Sequence, residues 1–94
     1  MRIAGYIDHP RLKITIFQQE NRYSLKLETA LHEQTYKLRK GGAIETTEDV
    51  RRLVDQEFLE QIEEEFKHMH RIQRGALSRL APTDGEDDEF PTII

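Results

Sequence analysis

The feature that most constrains the fold of this chain is a pair of alternating segments in residues 11–28, RLKITIFQQENRYSLKLE. Apolar and polar side chains alternate on both sides of Asn21, which is typical of two β-strands that are joined by a tight turn and covered on one face. The apolar side chains, which require a core, are Leu12, Ile14, Ile16, Tyr23, Leu25 and Leu27. The opposite face carries cations and one aromatic ring, so its role is the first functional question.

Two further strand-like segments flank this pair, one at residues 2–8 and one at residues 34–40. Turn signals follow both, Pro10 after the first segment and Gly41-Gly42 after the second. Ile3, Gly5 and Ile7 are predicted to share one side of the first segment, and Tyr36 and Leu38 are predicted to face inwards from the second. Because parallel pairing needs long crossover connections that this sequence lacks, the four segments are predicted to form an antiparallel meander.

The stretch from Thr46 to Leu80 has the apolar period of a long helix. Asp49 follows Thr46 at the spacing of a capping box, and Pro82 marks the far end. About 34 helical residues would span roughly 50 Å, whereas strands of about seven residues span roughly 23 Å. The sequence therefore predicts an α+β fold in which residues 1–80 form one domain, a four-stranded antiparallel meander with one face covered by a long C-terminal α-helix.

The half of this helix that overhangs the sheet is not polar all round. An apolar seam with three-four spacing continues along it, interrupted only by Gln73, and contains Leu59, Ile62, Phe66, Met69, Ala76 and Leu80. Such a seam favours helix-on-helix pairing, so we expect a homodimer whose interface is formed by these apolar residues. The alternative is a bend near Gly75 that folds the last turns back on the same sheet.

Composition excludes several classes of protein. The 94 residues contain no cysteine, which excludes a disulfide framework, a thiolate metal site and a cysteine nucleophile. The N-terminal segment lacks the apolar run of a signal peptide, and no segment resembles a membrane span, so we expect a soluble, cytoplasmic protein. The net charge of −4 is segregated: residues 1–44 hold eight Lys and Arg against four Asp and Glu, residues 45–80 six against nine, and residues 81–94 none against five.

Residues 81–94, APTDGEDDEFPTII, are predicted to be a flexible acidic tail, because Pro, Gly and clustered acids cannot form a core. The tail ends in apolar residues, which is typical of a docking peptide, of an added edge strand, and also of an ordinary terminus. It resembles the acidic tails of bacterial and phage single-strand-binding proteins. The predicted meander and helix, doubled in a dimer, look like the layout of PUR-type and Whirly-type nucleic-acid-binding folds. Both resemblances imply a single-stranded nucleic acid as ligand, with which the anionic tail would compete.

The outward side of the predicted sheet combines cations with an aromatic ring. Its predicted nucleic-acid-binding residues are Lys13, Phe17, Lys26, Lys37 and Arg39. Single-stranded DNA or RNA binds to such a combination, because cations follow the phosphates and rings stack on the bases. The competing interpretation is a solvated face, since exposed antiparallel sheets are routinely rich in Lys and Thr.

Signatures of enzymes are scarce. The paired glycines lack a phosphate-binding pattern around them, no G-x-S-x-G elbow exists, and Asp8-His9 before a proline is typical of a turn. Glu65 and His68 share a helix face, but metal sites of this kind need ligands from several helices, so we interpret both residues as solvated. We therefore expect no catalytic site, no metal and no other cofactor.

The function predicted from the sequence is that of a small non-enzymatic binding module. The leading hypothesis places single-stranded nucleic acid on the basic face of the sheet. The alternative is a protein–protein interaction adaptor that acts through the same face or through the C-terminal tail. The expected partners are a second copy of the chain, single-stranded DNA or RNA, and a protein that binds the tail, with no membrane.

Overall fold

The computed structural model describes residues 1–80 and contains four strands and two helices within them. These are β1 (Arg2–Ile7), β2 (Lys13–Gln19), β3 (Arg22–Glu28), β4 (Glu33–Arg39), α1 (Thr47–Leu53) and α2 (Gln56–Leu80). The strands form one sheet in chain order, and each pairs antiparallel with the next. The predicted α+β fold, an antiparallel meander of four strands with a long C-terminal helix, is confirmed. The predicted tail, residues 81–94, lies outside the described residues.

The core lies between one face of the sheet and the two helices. Its buried apolar side chains are Leu12, Ile14, Ile16, Tyr23, Leu25 and Leu27 from the sheet and Val50, Ile62 and Phe66 from the helices. All six side chains that the alternation pattern directs inwards are buried, so the prediction of this face is confirmed. Because successive residues of a strand point to opposite faces, the remaining residues of β2 and β3 point away from the helices.

β4 directs its even-numbered residues towards the helices, as predicted. The Tyr36 ring packs edge-on against the Phe58 ring of α2, with 5.7 Å between the centroids, and Leu38 packs against the core. The buried Gln34 donates a hydrogen bond from Nε2 to the Ile62 carbonyl at 3.0 Å and accepts one from the Tyr36 hydroxyl at 2.6 Å. Polar and apolar contacts together therefore hold the first half of α2 on β4.

β1 departs from simple alternation. Its register with β2 shifts by one residue at Ala4, because Ile3 pairs with Phe17 whereas Gly5 pairs with Ile16. The extra residue is a β-bulge, which changes the face on which the residues beyond it lie. The prediction that Ile3 shares one side of the strand with Gly5 and Ile7 is therefore wrong: Ile3 lies on the opposite face, with 51% of its surface exposed.

The predicted helix is interrupted once, between α1 and α2. The prediction of one continuous helix is wrong at Val54 and Asp55, which belong to neither helix. The cause is a second N-cap, since the Asp55 carboxylate accepts a hydrogen bond from the backbone N–H of Phe58 at 2.9 Å. Beyond this point α2 is continuous through Gly75 as far as Leu80, so it does not fold back on the sheet at Gly75.

α2 is longer than the sheet on which it packs. Its 25 residues span about 37 Å, whereas a strand of seven residues spans about 23 Å. Its two buried residues, Ile62 and Phe66, lie in its first half. The large apolar side chains Ile72, Leu77 and Leu80 in its second half are exposed. The overhang expected from the sequence is thus present, although α1 takes up part of the predicted length.

The N-terminus of α1 is a capping box, as predicted. The Thr46 hydroxyl accepts a hydrogen bond from the Asp49 N–H at 3.3 Å, and the Asp49 carboxylate accepts from the N–H of Glu45 at 2.8 Å and of Thr46 at 3.0 Å. The bond from Glu45, followed by that from Thr46, lowers the pKa of Asp49. Because the box needs the ionised carboxylate, its contribution to stability is full above about pH 4 and is lost as the pH falls through the lowered pKa.

Thr46→Ala is expected to lower the free energy of unfolding by about 1 kcal/mol, because the Asp49 amide at the N-terminus of α1 loses its side-chain acceptor. Urea denaturation followed by circular dichroism measures the change. Thr47→Ala is the matched control, since Thr47 follows the cap and its side chain is not part of the box. Equal losses for the two substitutions would contradict the assigned role of Thr46.

Candidate nucleic-acid interface

The face of the sheet that points away from the helices, which we call the outer face, holds the predicted binding residues. It consists of Ile3, Tyr6, Lys13, Thr15, Phe17, Gln19, Arg22, Ser24, Lys26, Glu28, Glu33, Thr35, Lys37 and Arg39. Strand register sorts these residues into rows across the sheet, and neighbours within a row lie about 5 Å apart. The register therefore decides which of the predicted residues can act together.

Three of the five predicted binding residues are neighbours. Phe17 of β2 and Lys37 of β4 lie in one row, separated by a single residue of β3, and Lys26 lies in the adjacent row. Lys13 lies near one end of the outer face and Arg39 near the other. The structure thus brings Phe17, Lys26 and Lys37 together and separates Lys13 from Arg39.

The end of the outer face that holds Lys13 contains the two carboxylates of this face, Glu28 and Glu33, which offset the charges of Lys13 and Lys26, and we call it the acidic end. Lys26 Nζ lies 3.4 Å from a carboxylate oxygen of Glu28 and 3.6 Å from one of Glu33. The hydrogen bond to Glu28, with the charges of both carboxylates, raises the pKa of Lys26. Lys13 also lies opposite Glu28 in the register. Two of the four predicted cations therefore face carboxylates, which would repel a phosphate.

The opposite end of the outer face, which we call the basic end, carries Arg22, Lys37 and Arg39. Arg22 lies directly opposite Arg39, and its Nε donates a hydrogen bond to Gln19 Oε1 at 2.8 Å. Within residues 1–80, none of these three cations forms a salt bridge. Like charges directly opposite each other on neighbouring strands are destabilising. An anion bound between them would relieve this repulsion, so the basic end is suited to an anionic ligand.

The outer face holds a second aromatic ring besides Phe17. Tyr6 of β1 lies opposite Thr15 with 52% of its surface exposed, and Ile3 lies opposite Phe17. These three side chains, Ile3, Tyr6 and Phe17, form an apolar strip beside the basic end. The small side chains of Thr15 and Ser24 lie between longer side chains and are buried.

Ile3, Tyr6 and Arg22 belong to this face, although the alternation pattern did not predict them there. An isolated glycine in a strand indicates a bulge, so Gly5 is the signal that could have revealed the shift of Ile3. The structure adds a reason for glycine there, because a Cβ at this position would lie 2.5 Å from the Arg51 guanidinium. No comparable signal marks Arg22, which directly follows the turn.

The predicted dimer interface on α2 divides into two parts. The core of the protomer itself contains or contacts the first four residues, Leu59, Ile62, Phe66 and Met69. These side chains are thus engaged by the sheet of the same protomer. The other two, Ala76 and Leu80, lie in the second half of α2, which extends beyond the sheet.

Glu65 and His68 lie on the surface of α2, and His9 lies in a turn. His68 Nδ1 lies 3.5 Å from Glu65 Oε2 on the surface of α2, and both side chains are about half exposed. Residues 1–80 contain no group of three or more His, Cys, Asp or Glu side chains placed to hold a metal ion. His9 belongs to the predicted turn, where its Nδ1 accepts hydrogen bonds from the backbone N–H of Arg11 and of Leu12, each at 3.1 Å.

Comparisons with known proteins assign no family, since no family model, no curated protein and no solved structure matches the chain. Neither of the two helices within residues 1–80 is long and apolar enough to cross a membrane. The class to which the protein belongs is therefore defined by its fold and its outer face: a small α+β protein with an exposed antiparallel sheet.

Proposed function

We propose that the protein is a small non-enzymatic binding module that binds single-stranded nucleic acid on its outer face. One observation carries the proposal: the basic end holds Arg22, Lys37 and Arg39 without a salt bridge within residues 1–80, beside the rings of Tyr6 and Phe17. Cations that follow phosphates and rings that stack on bases are the combination with which proteins bind single strands without sequence preference.

Strand spacing sets how the ligand would lie. Neighbouring strands are about 4.8 Å apart, so Phe17 on β2 and Lys37 on β4 are separated by about 10 Å across the sheet. A nucleotide that crosses the face would stack its base on Phe17 and direct its phosphate to Lys37. Tyr6 would then be available for a neighbouring base.

The phosphate contacts that we propose differ in part from those predicted from the sequence. Lys13 and Lys26 lie at the acidic end, so we assign the main contacts to Lys37, Arg39 and Arg22. For single strands, the logarithm of the binding constant falls with the logarithm of salt concentration by about 0.7 for each phosphate contact. Three contacts therefore predict a slope of about −2 per protomer, and all five cations would predict about −3.5.

Fluorescence anisotropy with labelled single-stranded oligonucleotides of about 16 nucleotides tests the proposal, starting at about 50 mM salt. We expect binding that weakens with salt at the slope of three contacts. Tyr6→Ala is expected to weaken binding about tenfold, because stacking on one ring contributes about 1–3 kcal/mol. Lys37→Gln is expected to weaken binding and to reduce the slope by about 0.7.

Two matched substitutions control this experiment. Tyr6→Phe keeps the ring and is expected to bind like the native protein. Lys67→Gln removes an exposed cation from α2, on the other side of the molecule, and is expected to leave both affinity and slope unchanged. No binding by the native protein at the lowest salt, or equal losses for Lys37→Gln and Lys67→Gln, would end the proposal.

The alternative function is a protein–protein interaction adaptor, and the exposed Ile3 is the observation that favours it. Exposed apolar surface of this kind contributes to contacts with another protein, whereas it does not attract a phosphate. Salt distinguishes the two functions, because contacts on the apolar strip would persist at high salt while nucleic acid would be released. The other predicted docking element, the tail, lies outside the described residues.

A second copy of the chain is the protein partner that we propose. The apolar seam expected to mediate pairing is engaged by the protomer's own core in its first half, which leaves only the exposed half with Ile72, Leu77 and Leu80. A homodimer would present two basic ends and two apolar strips to one strand of nucleic acid, and linked sites bind more tightly than single ones.

A further inference from the structure

The two edges of the sheet differ in how they are protected. The edge at β1 is interrupted by the bulge at Ala4, and the Arg51 guanidinium donates a hydrogen bond to the Tyr6 carbonyl at 2.7 Å. The edge at β4 is regular over all seven of its residues, and no strand within residues 1–80 pairs with its free side. A long, regular edge strand offers a row of unpaired backbone groups to another strand.

Strand register identifies which backbone groups of β4 point to the free side. Thr29 N–H donates to the His32 carbonyl, and Lys40 N–H donates to the Asn21 carbonyl. Thr29 and His32 at one end of the β3–β4 ladder, like Asn21 and Lys40 at the other, are therefore hydrogen-bonded pairs. Such pairs recur at every second position of an antiparallel ladder. The backbone groups of the even-numbered residues of β4 therefore face β3. Those that face outwards belong to Glu33, Thr35, Lys37 and Arg39.

The sequence of β4, EQTYKLR, is complementary to itself in the antiparallel direction. When two copies are paired around Tyr36, Glu33 lies opposite the partner's Arg39, and Thr35 lies opposite the partner's Lys37. In this register, the residues whose backbone groups point to the free side of one strand lie opposite the equivalent residues of the other strand. A hydrogen-bonded antiparallel ladder requires this arrangement. Shifting it by two residues towards the C-terminus would place Lys37 opposite the partner's Lys37, which is unfavourable.

Charge within the protomer favours the same pairing. Arg22 lies opposite Arg39 at the basic end, which has an excess of positive charge, whereas Glu28 and Glu33 offset Lys13 and Lys26 at the acidic end. An antiparallel partner reverses the direction of the strand. It therefore brings its acidic end to the basic end of the first copy, and the contact is complementary at both ends of β4.

A groove lies along the same edge on the side of the helices. Its volume is about 590 Å³, and it runs between β4 and α2, with Tyr36, Phe58, Ile62 and Met69 among its lining residues. Pairing around Tyr36 would place the grooves of two copies side by side. The half-exposed rings of Tyr36 and Phe58 from both copies would then fill the space at the centre.

We infer that β4 is the dimerisation edge: it pairs antiparallel with β4 of a second copy about a two-fold axis at Tyr36, joining two four-stranded sheets into one of eight strands. The inference rests on the proposal of a second copy and not on nucleic-acid binding. It makes the two outer faces continuous, and it directs the exposed second halves of the two α2 helices to opposite ends of the dimer. Because Arg39 then faces the partner's Glu33, pairing reduces the proposed phosphate contacts from three to two per protomer.

Charge reversal at the two ends of β4 tests this pairing in the full chain. Sedimentation of the native protein is expected to give a particle of twice the chain mass of 11.1 kDa at micromolar concentration. Glu33→Arg and Arg39→Glu each place like charges opposite each other at both ends of the pair. The dissociation constant is expected to rise about tenfold for either variant alone.

Mixing the two variants provides a sharper test than either alone. One copy then carries cations at positions 33 and 39 and the other carries acids, so both ends become attractive and a heterodimer is expected to form. Arg39→Glu also removes the repulsion with Arg22 inside the protomer, so its folded state is expected to be at least as stable as the native one. A loss of dimer in this variant therefore cannot be ascribed to unfolding, which circular dichroism checks.

Amide hydrogen exchange locates the contact residue by residue. The N–H groups of Thr35, Lys37 and Arg39 are expected to gain protection as protein concentration rises, whereas those of Tyr36 and Leu38 are protected at every concentration. Leu77→Glu, on the exposed half of α2, is the control and is expected to leave the dimer intact.

Three results would overturn the inference. If the protein sediments as a monomer at all concentrations, it does not pair with a second copy. If Leu77→Glu dissociates the dimer and the charge reversals do not, the second copy binds through α2 and not through β4. Failure of the mixed variants to associate excludes the register around Tyr36. None of these results depends on whether the protein binds an oligonucleotide, which the anisotropy experiment decides separately.

Discussion

Replacing Leu25 by alanine is expected to lower the free energy of unfolding by about 2–5 kcal/mol. Leu25 lies in the middle of β3, with Ile16 and Tyr36 opposite it on the neighbouring strands, and 0% of its surface is exposed. The substitution removes apolar atoms from the core and leaves a cavity that the surrounding sheet cannot close. A domain of about 80 residues has a total stability of roughly 4–12 kcal/mol, so this single substitution would remove a large fraction of it.

Leu77→Ala is the matched control for this prediction. It deletes the same atoms from a leucine of α2 that is 56% exposed, and alanine is favourable in a helix, so a change below about 0.5 kcal/mol is expected. Urea denaturation followed by circular dichroism compares the two variants at one protein concentration, because pairing with a second copy would add to the stability of both. Similar losses for the two would mean that the inner face of the sheet is not the main core.

The inner face could be predicted from the sequence because its signal is local. A period of two residues fixes which side chains share a face of a strand, and Leu12 to Leu27 keep that period on both sides of a short turn. The capping box at Thr46 is local in the same sense, since the residues that form it are three apart. In both cases the interaction that decides the structure is contained within a few consecutive residues.

The bulge and the helix break could not be predicted from the same patterns. The bulge depends on how β1 meets β2 and α1, because the Arg51 guanidinium lies where a side chain at Gly5 would be. The break at Asp55 is hidden by the apolar period, which continues across it in Val54 and Phe58. An aspartate within a helical pattern is as compatible with a solvated surface as with a new N-cap, so its hydrogen bond decides between the two.

To predict the candidate site from the sequence, the strand register is needed more than the composition. Lys13, Lys26, Lys37 and Arg39 all belong to the outer face, as the alternation predicts. Alternation does not give the residues that lie opposite them on neighbouring strands, and these decide which cations are available. A carboxylate lies opposite Lys13, and two carboxylates lie 3.4 and 3.6 Å from Lys26 Nζ. Lys37 and Arg39 instead lie beside a third cation, Arg22, which the sequence did not assign to this face.

Phe66→Ala is expected to have the second large effect, a loss of about 3–5 kcal/mol in the free energy of unfolding. Phe66 is 8% exposed and is one of the two residues of α2 that are buried in the core, and the helix leaves the sheet shortly beyond it. Removing the ring takes away the last buried anchor before the overhang. Hydrogen exchange is therefore expected to show faster exchange along α2 than in β2 and β3, where the paired strands retain their ladder.

Phe17→Ala separates this structural role from the proposed function. Its ring lies on the outer face and is only partly buried, so its removal is expected to cost less stability than the removal of Phe66. The effect on oligonucleotide binding is expected to be reversed: Phe17→Ala loses about tenfold in affinity, whereas Phe66→Ala binds normally at a temperature where it is folded. Phe17 thus lies on the outer face of the sheet, and Phe66 of α2 lies in the core on the other side of the sheet. If either substitution changed stability and oligonucleotide affinity equally, it would contradict the division between core and binding face.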